Sequence, residues 1–113
     1  MTTPQRAHAR GKEHERALAR RLGGKRVGNT GKATADVQAG WLCVEAKSRR
    51  RPLPAEIRDA IGQAVKAAKP EQLAIAVFHQ LHCRHDDDVV MLRLSDFEAW
   101  FGDVGNKEGE DGE

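Results

Sequence analysis

The sequence predicts an α/β fold, with a small mixed β-sheet of about five strands flanked by helices. Apolar residues recur at helical spacing in three segments, and short apolar runs bounded by glycine or proline indicate strands between them. These segments follow the order helix, three strands, helix, two strands, helix. The strand-helix-strand portion predicts a crossover connection within one sheet. At 113 residues, the chain has room for one domain with a modest core.

The first helix is predicted over residues 9–22, because an apolar stripe runs along it and Gly23-Gly24 is a strong C-terminal signal. The stripe includes Glu15, so a carboxylate is expected within the buried face. Such a group is costly unless it pairs with a neighbouring arginine or binds a metal, and the sequence leaves both alternatives open. Residues 1–8 are expected to form a flexible basic arm. The stripe comprises Gly11, Glu15, Leu18, Ala19 and Leu22, while Glu13, Arg16 and Arg20 point away.

Three strands are predicted after this helix. Residues 25–28 indicate a short first strand, and residues 29–34 form a polar loop that contains glycine. Residues 35–38 and 41–47 have the composition of strands, and Ala39-Gly40 between them suits a two-residue hairpin turn.

This turn sets the register of the hairpin. Gln38 would pair with Trp41, Val37 with Leu42, and Asp36 with Cys43. Side chains alternate along a strand, so Trp41, Cys43, Glu45 and Lys47 would share a face with Asp36. We expect Cys43 to be a buried free thiol and Trp41 to pack in the core.

The second half of the chain begins with a helix. Pro52 and Pro54 are tolerated in a first helical turn, and the helix is predicted to end near Pro70. An apolar run over residues 73–78 is typical of a central strand buried on both faces. A loop then leads to an edge strand over residues 88–93. The apolar face of the helix consists of Ile57, Ala60, Ile61, Ala64, Val65 and Ala68.

A short last helix and an acidic tail complete the chain. Ser95 and the three residues after it match a capping box, and the helix is predicted to run through Phe101. Residues 102–113 are rich in glycine and acidic residues and are expected to be disordered. The bulky apolar face of the helix is a candidate dimer interface, formed by Phe97, Trp100 and Phe101.

The net charge of +2 hides a strong asymmetry. Residues 102–113 hold five acidic residues against one lysine, so residues 1–101 carry a charge of +6. A basic body favours a polyanionic partner such as nucleic acid, although a solvated arginine-rich surface would show the same pattern.

No apolar stretch approaches the length of a membrane span, and the N-terminus lacks a signal-peptide core. We expect a cytoplasmic protein without a membrane partner, whose two cysteines are free thiols.

The hairpin gathers groups that can hold a cation. Asp36 and Glu45 would lie diagonally across the two strands at roughly 7–8 Å, a span that two carboxylates can close around one ion. Mg²⁺ prefers one or two carboxylates with water and phosphate oxygens, and the Ala46 carbonyl would lie close by. Lys47 emerges on the same face, where its ammonium could orient or deprotonate a water. Glu15 could add a carboxylate through a metal-bound water, and such a centre supports phosphodiester hydrolysis.

These residues resemble the PD-(D/E)xK nuclease superfamily, although Ala35 stands where the motif has its proline. The match is closer to archaeal-type Holliday junction resolvases and their phage relatives, over roughly residues 11–101. The resemblance implies a restriction-endonuclease-like core in a single nuclease domain over residues 9–101. The matching segments are Gly11-Lys12-Glu13-His14-Glu15-Arg16, Thr30-Gly31, Glu45-Ala46-Lys47, Gln63-Ala64 and Leu94-Ser95-Asp96-Phe97.

The resemblance also implies a function. Glu15, Asp36, Glu45 and Lys47 would be catalytic, with Mg²⁺ as the cofactor and Mn²⁺ as a substitute. Such enzymes are homodimers that resolve four-way DNA junctions by paired symmetric nicks and leave 5′-phosphates. Gln63 would be an accessory residue. DNA backbone contacts that do not read sequence would come from Arg10, Lys12, Arg16, Thr30, Lys32, Arg49, Arg50 and Arg51.

Other interpretations stay open. A nuclease of the same fold could act on flap, mismatched or linear DNA, and a DNA-binding protein of this fold could lack a working metal site. His79, His82, Cys83 and His85 suggest zinc, but their spacing fits no familiar ligand pattern, which favours a polar loop. The aspartates at 86–88 are more often a solvated turn than a cation site. A viral protein of this kind would act in the cytoplasm of its host.

Overall fold

The computed structural model describes residues 4–27 and 36–102, with side chains from residue 11 onward. This part of the chain is mixed α/β, as predicted. It forms two compact units, one containing the described residues up to Arg50 and the other spanning Arg51–Gly102. The helices are α1 (Pro4–Leu22), α2 (Ala55–Ala67) and α3 (Leu94–Phe101), and the strands are β1 (Lys25–Arg26), β2 (Val37–Ala39), β3 (Leu42–Val44), β4 (Ala76–Phe78) and β5 (Val89–Met91). The loop at 29–34 and the tail after Gly102 lie outside the described residues.

The described strands form two antiparallel sheets. The first has the order β1-β2-β3, and the second pairs β4 with β5. The predicted single mixed sheet, with β4 entering it by a crossover, is therefore wrong for these residues. An apolar run predicts that a strand is buried, but it does not specify the partner strand. Here each strand pairs with its neighbour in sequence, which closes the shortest loops.

In the first unit, α1 begins at Pro4 and packs against β1 and β2. It starts five residues before its predicted position, so residues 4–8 are helical where a flexible arm was expected. Proline is well tolerated there because the first helical turn needs no amide donor. The predicted apolar stripe is confirmed, since Ala19 and Leu22 are buried while Arg16 is exposed.

Two glycines end α1 and set its contact with β2. Gly23 adopts a left-handed conformation with φ of 67°, and the amide of Gly24 donates to the Ala19 carbonyl over 2.8 Å. These are the features of a Schellman motif, which confirms the predicted helix end. A Cβ on Gly24 would lie 2.2 Å from the Gln38 carbonyl oxygen, so only glycine allows the backbone to pass β2 this closely.

The β2–β3 hairpin turns at Gly40-Trp41, one residue later than predicted. Its paired residues are Ala39 with Leu42, Gln38 with Cys43 and Val37 with Val44. The first central position has a φ of 56°, and Gly40 occupies it. In the predicted turn, Ala39 would have had to adopt that positive φ, which a side chain disfavours. The glycine therefore moves the turn.

The hairpin has one covered face and one open face. Val37 and Ala39 are buried on the side of α1, while Gln38 and Cys43 are exposed on the other side, which we call the outer face. The predicted burial of Cys43 is therefore wrong, although both cysteines are free. Trp41 is also 63% exposed at the turn, so its predicted core packing is wrong. Among the described residues of this unit, α1 is the helix that packs on the sheet, and it covers one of the two faces.

In the second unit, α2 begins directly after Pro54 and packs against β4, where Ala76 is buried. The predicted apolar face of α2 is confirmed, because its members are half-buried while Gly62 and Gln63 are exposed. Val77 and Val90 lie opposite each other across β4 and β5, and both are exposed. The prediction that β4 is buried on both faces is therefore wrong.

The last helix, α3, ends at Phe101 as predicted but begins at Leu94. The predicted capping box is not formed, because Ser95 lies inside the first turn and Arg93 is the N-cap residue, without a side-chain cap. Instead, the Arg93 guanidinium donates to both carboxylate oxygens of Asp96, over 2.9 and 3.3 Å. This hydrogen bond raises the pKa of Arg93. Among the described helices, none combines the length and the apolar character needed to cross a bilayer.

Candidate functional site

Asp36 is held at both its backbone and its side chain. Its carbonyl accepts a hydrogen bond from the Val27 amide over 2.8 Å, which continues the pairing of β1 with β2. Its carboxylate oxygen Oδ2 accepts a hydrogen bond from the backbone amide of Ala46 over 2.9 Å. The half-buried carboxylate is therefore oriented toward the segment that follows β3.

The hairpin register brings Asp36 opposite Glu45. Val37 pairs with Val44, so the same register carried one residue further places these two acids directly across from each other. Residues directly opposite in an antiparallel pair have Cβ atoms about 4.5–5.5 Å apart, closer than the diagonal arrangement that the sequence predicts. The turn shift moves each partner by two positions. Because side chains alternate with a period of two, the two acids keep the same face.

Glu45 and Lys47 alternate with the half-buried Ala46 and are both exposed. They therefore extend on the outer face, the face that Asp36 also takes by alternation. The hydrogen bond from Ala46 uses one of the several acceptor positions that a carboxylate such as that of Asp36 offers. Two carboxylates and a backbone carbonyl, open to solvent, form a hard oxygen donor set that fits Mg²⁺.

Glu15 forms an ion pair on the side of α1. Its oxygen Oε2 lies 2.6 Å from Nε of Arg26, and the two side chains are 19% and 26% exposed. Arg26 pairs with Val37 in the sheet, so it shares the covered face. Of the two alternatives that the sequence leaves open for Glu15, the structure contains the arginine pair. Among the described residues, the donor atoms of Glu15, Asp36 and Glu45 do not converge within 4.8 Å as a group.

The structure describes some of the predicted DNA-contacting residues. Arg16 is exposed on α1, while Lys12 is half-buried there. An exposed basic run, Arg49, Arg50 and Arg51, follows soon after Lys47. Thr30, Lys32 and the side chain of Arg10 lie outside the described residues.

The predicted accessory and interface residues belong to the second unit. Gln63 is exposed on α2, where it lines an open surface groove with Arg58 and Lys66. On α3, the rings of Phe97 and Phe101 lie 4.8 Å apart between centroids. Trp100 and Phe101 are exposed, whereas Phe97 is half-buried.

A second cluster of metal-ligating side chains lies at the end of the β4–β5 hairpin. His79 follows β4 and Asp88 precedes β5, so the strand register places them opposite each other. Nδ1 of His79 lies 2.5 Å from Oδ1 of Asp88, and Nδ1 of His85 lies 3.1 Å from Oδ2. The hydrogen bonds with His79 and then His85 lower the pKa of Asp88 from its ordinary value of 3.8.

Two of the four loop residues that suggest zinc in the sequence, His79 and His85, belong to this cluster. His82 and Cys83 are exposed and do not belong to the cluster, whereas Asp88 joins it. The signal that could have shown this contact is the position of His79 and Asp88, each of which directly flanks one strand of the hairpin. Spacing along the chain cannot show this contact, because nine residues separate the two side chains.

Comparison of the chain with protein-family models, curated proteins and solved structures gives no match.

Proposed function

We propose that this chain is a metal-dependent DNA endonuclease with Asp36, Glu45 and Lys47 in its catalytic centre. One observation carries the proposal. The β2–β3 register, extended past Val44, assigns two carboxylates and an ammonium to one face of the hairpin, and the Ala46 amide donates a hydrogen bond to Asp36 there. Acidic and basic groups in this arrangement suit a cation bound beside a phosphate.

In the proposed centre, the carboxylates of Asp36 and Glu45 and the carbonyl of Ala46 hold Mg²⁺, and Mn²⁺ substitutes for it. An ion held there would supply charge neutralisation at the scissile phosphate and would lower the pKa of a water bound to it. Lys47 donates hydrogen bonds to that water or to a phosphate oxygen, which stabilises the negative charge that develops during attack. The hydrogen bond from Ala46 keeps Asp36 in position before the substrate arrives.

Basic residues supply the attraction for a polyanion. The exposed side chains of Arg16, Arg49 and Arg50 belong to the same unit as the catalytic hairpin. Guanidinium groups bind phosphates without reading bases, so these contacts position a duplex and leave its sequence unread. Binding to DNA is expected to weaken steeply as salt rises.

We further propose that the substrate is a four-way DNA junction, which a homodimer cuts by paired symmetric nicks that leave 5′-phosphates. The support is the motif set shared with archaeal-type junction resolvases, in particular the Glu15-Arg16 pair of the first helix. That resemblance also assigns Glu15 to the centre through a metal-bound water, a role that would require its carboxylate to leave Arg26 and the covered face. The exposed aromatic residues of α3, Trp100 and Phe101, are the proposed dimer contact.

The test compares a labelled four-way junction with a linear duplex of the same arm sequences, in Mg²⁺, Mn²⁺ and EDTA. We expect symmetric nick pairs in the junction, in either metal, that DNA ligase can reseal. Equal cleavage of the linear duplex would replace the junction with the broader nuclease alternative. Binding without cleavage in both metals would favour the non-catalytic DNA-binding alternative.

A further inference from the structure

The cluster at the end of the β4–β5 hairpin has the donor set of a transition-metal site. His79, His85 and Asp88 each offer one ligand atom, and the three atoms lie within 4.8 Å of one another. Two imidazoles with one carboxylate are typical ligands of Zn²⁺ and of neighbouring divalent transition metals, and are unlike the all-oxygen sets that Mg²⁺ prefers.

The hairpin fixes the relative positions of these ligands. His79 and Asp88 flank paired strands, and His85 begins the 3-10 helix His85–Asp87 that leads back to β5. The imidazole rings of His79 and His85 are stacked, with centroids 4.2 Å apart and planes 25° apart. Both Nδ1 atoms thus approach the two oxygens of a single carboxylate, from opposite ends of one loop.

For an ion to bind here, the nitrogen and oxygen atoms that now share protons would have to move apart. Tetrahedral zinc with bonds of about 2.0–2.2 Å holds its ligand atoms roughly 3.3 Å apart. The Nδ1 atoms of His79 and His85 now lie 2.5 and 3.1 Å from the Asp88 oxygens. An ion would therefore replace the protons shared between the histidines and Asp88, and rotation of the exposed His85 ring would bring its nitrogen to the ion.

Other residues of the loop do not complete a four-ligand set. Asp86 is bound by the guanidinium of Arg84. His82 and Cys83 are exposed and lie outside the cluster. Three protein ligands with an open fourth position are characteristic of zinc sites that bind water or another ligand.

We propose that His79, His85 and Asp88 form a binding site for Zn²⁺ or a similar transition-metal ion, coordinated through Nδ1 of each histidine and the Asp88 carboxylate. The ion ties the loop between β4 and β5 to the ends of both strands. This site is separate from the proposed Mg²⁺ centre and does not depend on nuclease activity.

The test titrates Zn²⁺ alone into the full metal-free chain by calorimetry, and repeats the titration with Co²⁺ to record its visible spectrum. We expect one site, a tetrahedral Co²⁺ spectrum without a thiolate charge-transfer band, and affinity at least roughly tenfold weaker in His85→Gln and Asp88→Asn. His82→Ala and Cys83→Ser are the matched controls and should bind as the native chain does. The His85 side chain is 83% exposed, so its replacement removes a ligand and the stacking on His79 but little buried surface.

The ¹⁵N NMR chemical shifts of the histidine side chains provide the second measurement. Zinc should move the Nδ1 resonances of His79 and His85 and leave their Nε2 atoms protonated. Three results would each overturn the site: native affinity in His85→Gln, loss of binding in Cys83→Ser, or unchanged Nδ1 resonances. The cluster would then be a carboxylate that accepts hydrogen bonds from two histidines and binds no metal. The double variant Asp36→Asn/Glu45→Gln should retain the zinc stoichiometry, so failure of the nuclease proposal would not alter this result.

Discussion

The backbone amide of Ala46 and the carboxylate of Asp36 are joined by a hydrogen bond of 2.9 Å across the open end of the β2–β3 hairpin. The bond lies beyond the last paired residues of the ladder, Val37 and Val44. It orients a charged carboxylate without requiring its burial. The position of Asp36 therefore depends on the backbone of the opposite strand, and substitutions at Asp36 can separate this structural role from metal binding.

Two substitutions at Asp36 should differ in stability. Asp36→Asn keeps an oxygen that can accept the Ala46 amide, whereas Asp36→Ala leaves that amide without its acceptor. We expect Asp36→Ala to be less stable than Asp36→Asn by about 1 kcal/mol, because an unsatisfied donor loses its hydrogen bond. Urea unfolding measures the difference, with Gln38→Ala on the same face as a control. Equal stabilities of the two variants would show that the bond does not orient Asp36.

Lys47 and Arg50 should affect different steps. Lys47→Ala removes the proposed catalytic ammonium, so we expect cleavage to fall by at least roughly 100-fold while junction affinity changes much less. Arg50→Ala removes a contact with the DNA backbone, so we expect weaker binding. The slope of log K against log salt concentration should become about 0.9 less steep. Single-turnover cleavage and anisotropy titrations at several salt concentrations separate the two effects. A similar loss of affinity in both variants would assign Lys47 to binding alone.

Glu15 should have both a structural and a catalytic effect, and Arg26→Ala separates them. Each substitution breaks the ion pair, so each should destabilise the chain by about 1.5–3 kcal/mol, the range for a hydrogen bond to a charged group. Only Glu15→Ala removes the carboxylate that the resemblance assigns to a metal-bound water. We therefore expect a larger loss of cleavage in Glu15→Ala than in Arg26→Ala, measured below the unfolding temperature of both. Equal losses of cleavage in the two variants would show that Glu15 acts only through its ion pair with Arg26.

Gly24 and Gly11 should respond in opposite ways to alanine. The added Cβ at Gly24 would meet the Gln38 carbonyl oxygen at 2.2 Å, whereas at Gly11 it would meet nothing within 4 Å. Overpacking against backbone should cost about 1–3 kcal/mol at Gly24. Gly11→Ala should stabilise α1 by up to about 1 kcal/mol through helix propensity. Thermal unfolding tests both, and a stable Gly24→Ala would contradict the close approach of the α1 end to β2.

The proposed dimer depends on the exposed aromatic residues of α3. We expect the native chain to be a dimer at micromolar concentration and Trp100→Glu to be a monomer, because a charge at an apolar interface is left desolvated and unpaired. Leu81→Glu is the matched control, since Leu81 is also an exposed apolar residue of the same unit. Light scattering after gel filtration measures the mass. A monomeric native chain would argue against paired nicking.

Local signals allowed much of the fold to be predicted from sequence. The end of α1 follows from Gly23-Gly24, because the Schellman motif needs only neighbouring residues. The shared face predicted for Asp36 and Glu45 is unchanged when the β2–β3 register is extended past Val44, although the turn was placed one residue too early. The error shifted every cross-strand partner by two residues. Because side chains alternate between the faces of a strand with a period of two residues, each residue kept its predicted face.

Contacts between distant segments could not be predicted in this way. Nothing local indicates that Arg26 is the partner of Glu15, since eleven residues separate them and the pair forms only when α1 lies on β1. The meeting of His79 with Asp88 likewise requires the β4–β5 hairpin to close. The apolar run containing β4 predicted burial, but it could not reveal that β5 would be the strand paired with it.

The central claim is that Asp36 and Glu45 together hold the ion that cleaves DNA. Its most direct test is the single-turnover cleavage rate of a four-way junction in Mg²⁺, measured for the native chain, Asp36→Asn and Glu45→Gln. Both substitutions replace a carboxylate with an amide of the same shape, so folding and junction binding should persist. We expect each variant to lose cleavage by at least roughly 100-fold. A folded variant of either residue that cleaves at the native rate would contradict the claim.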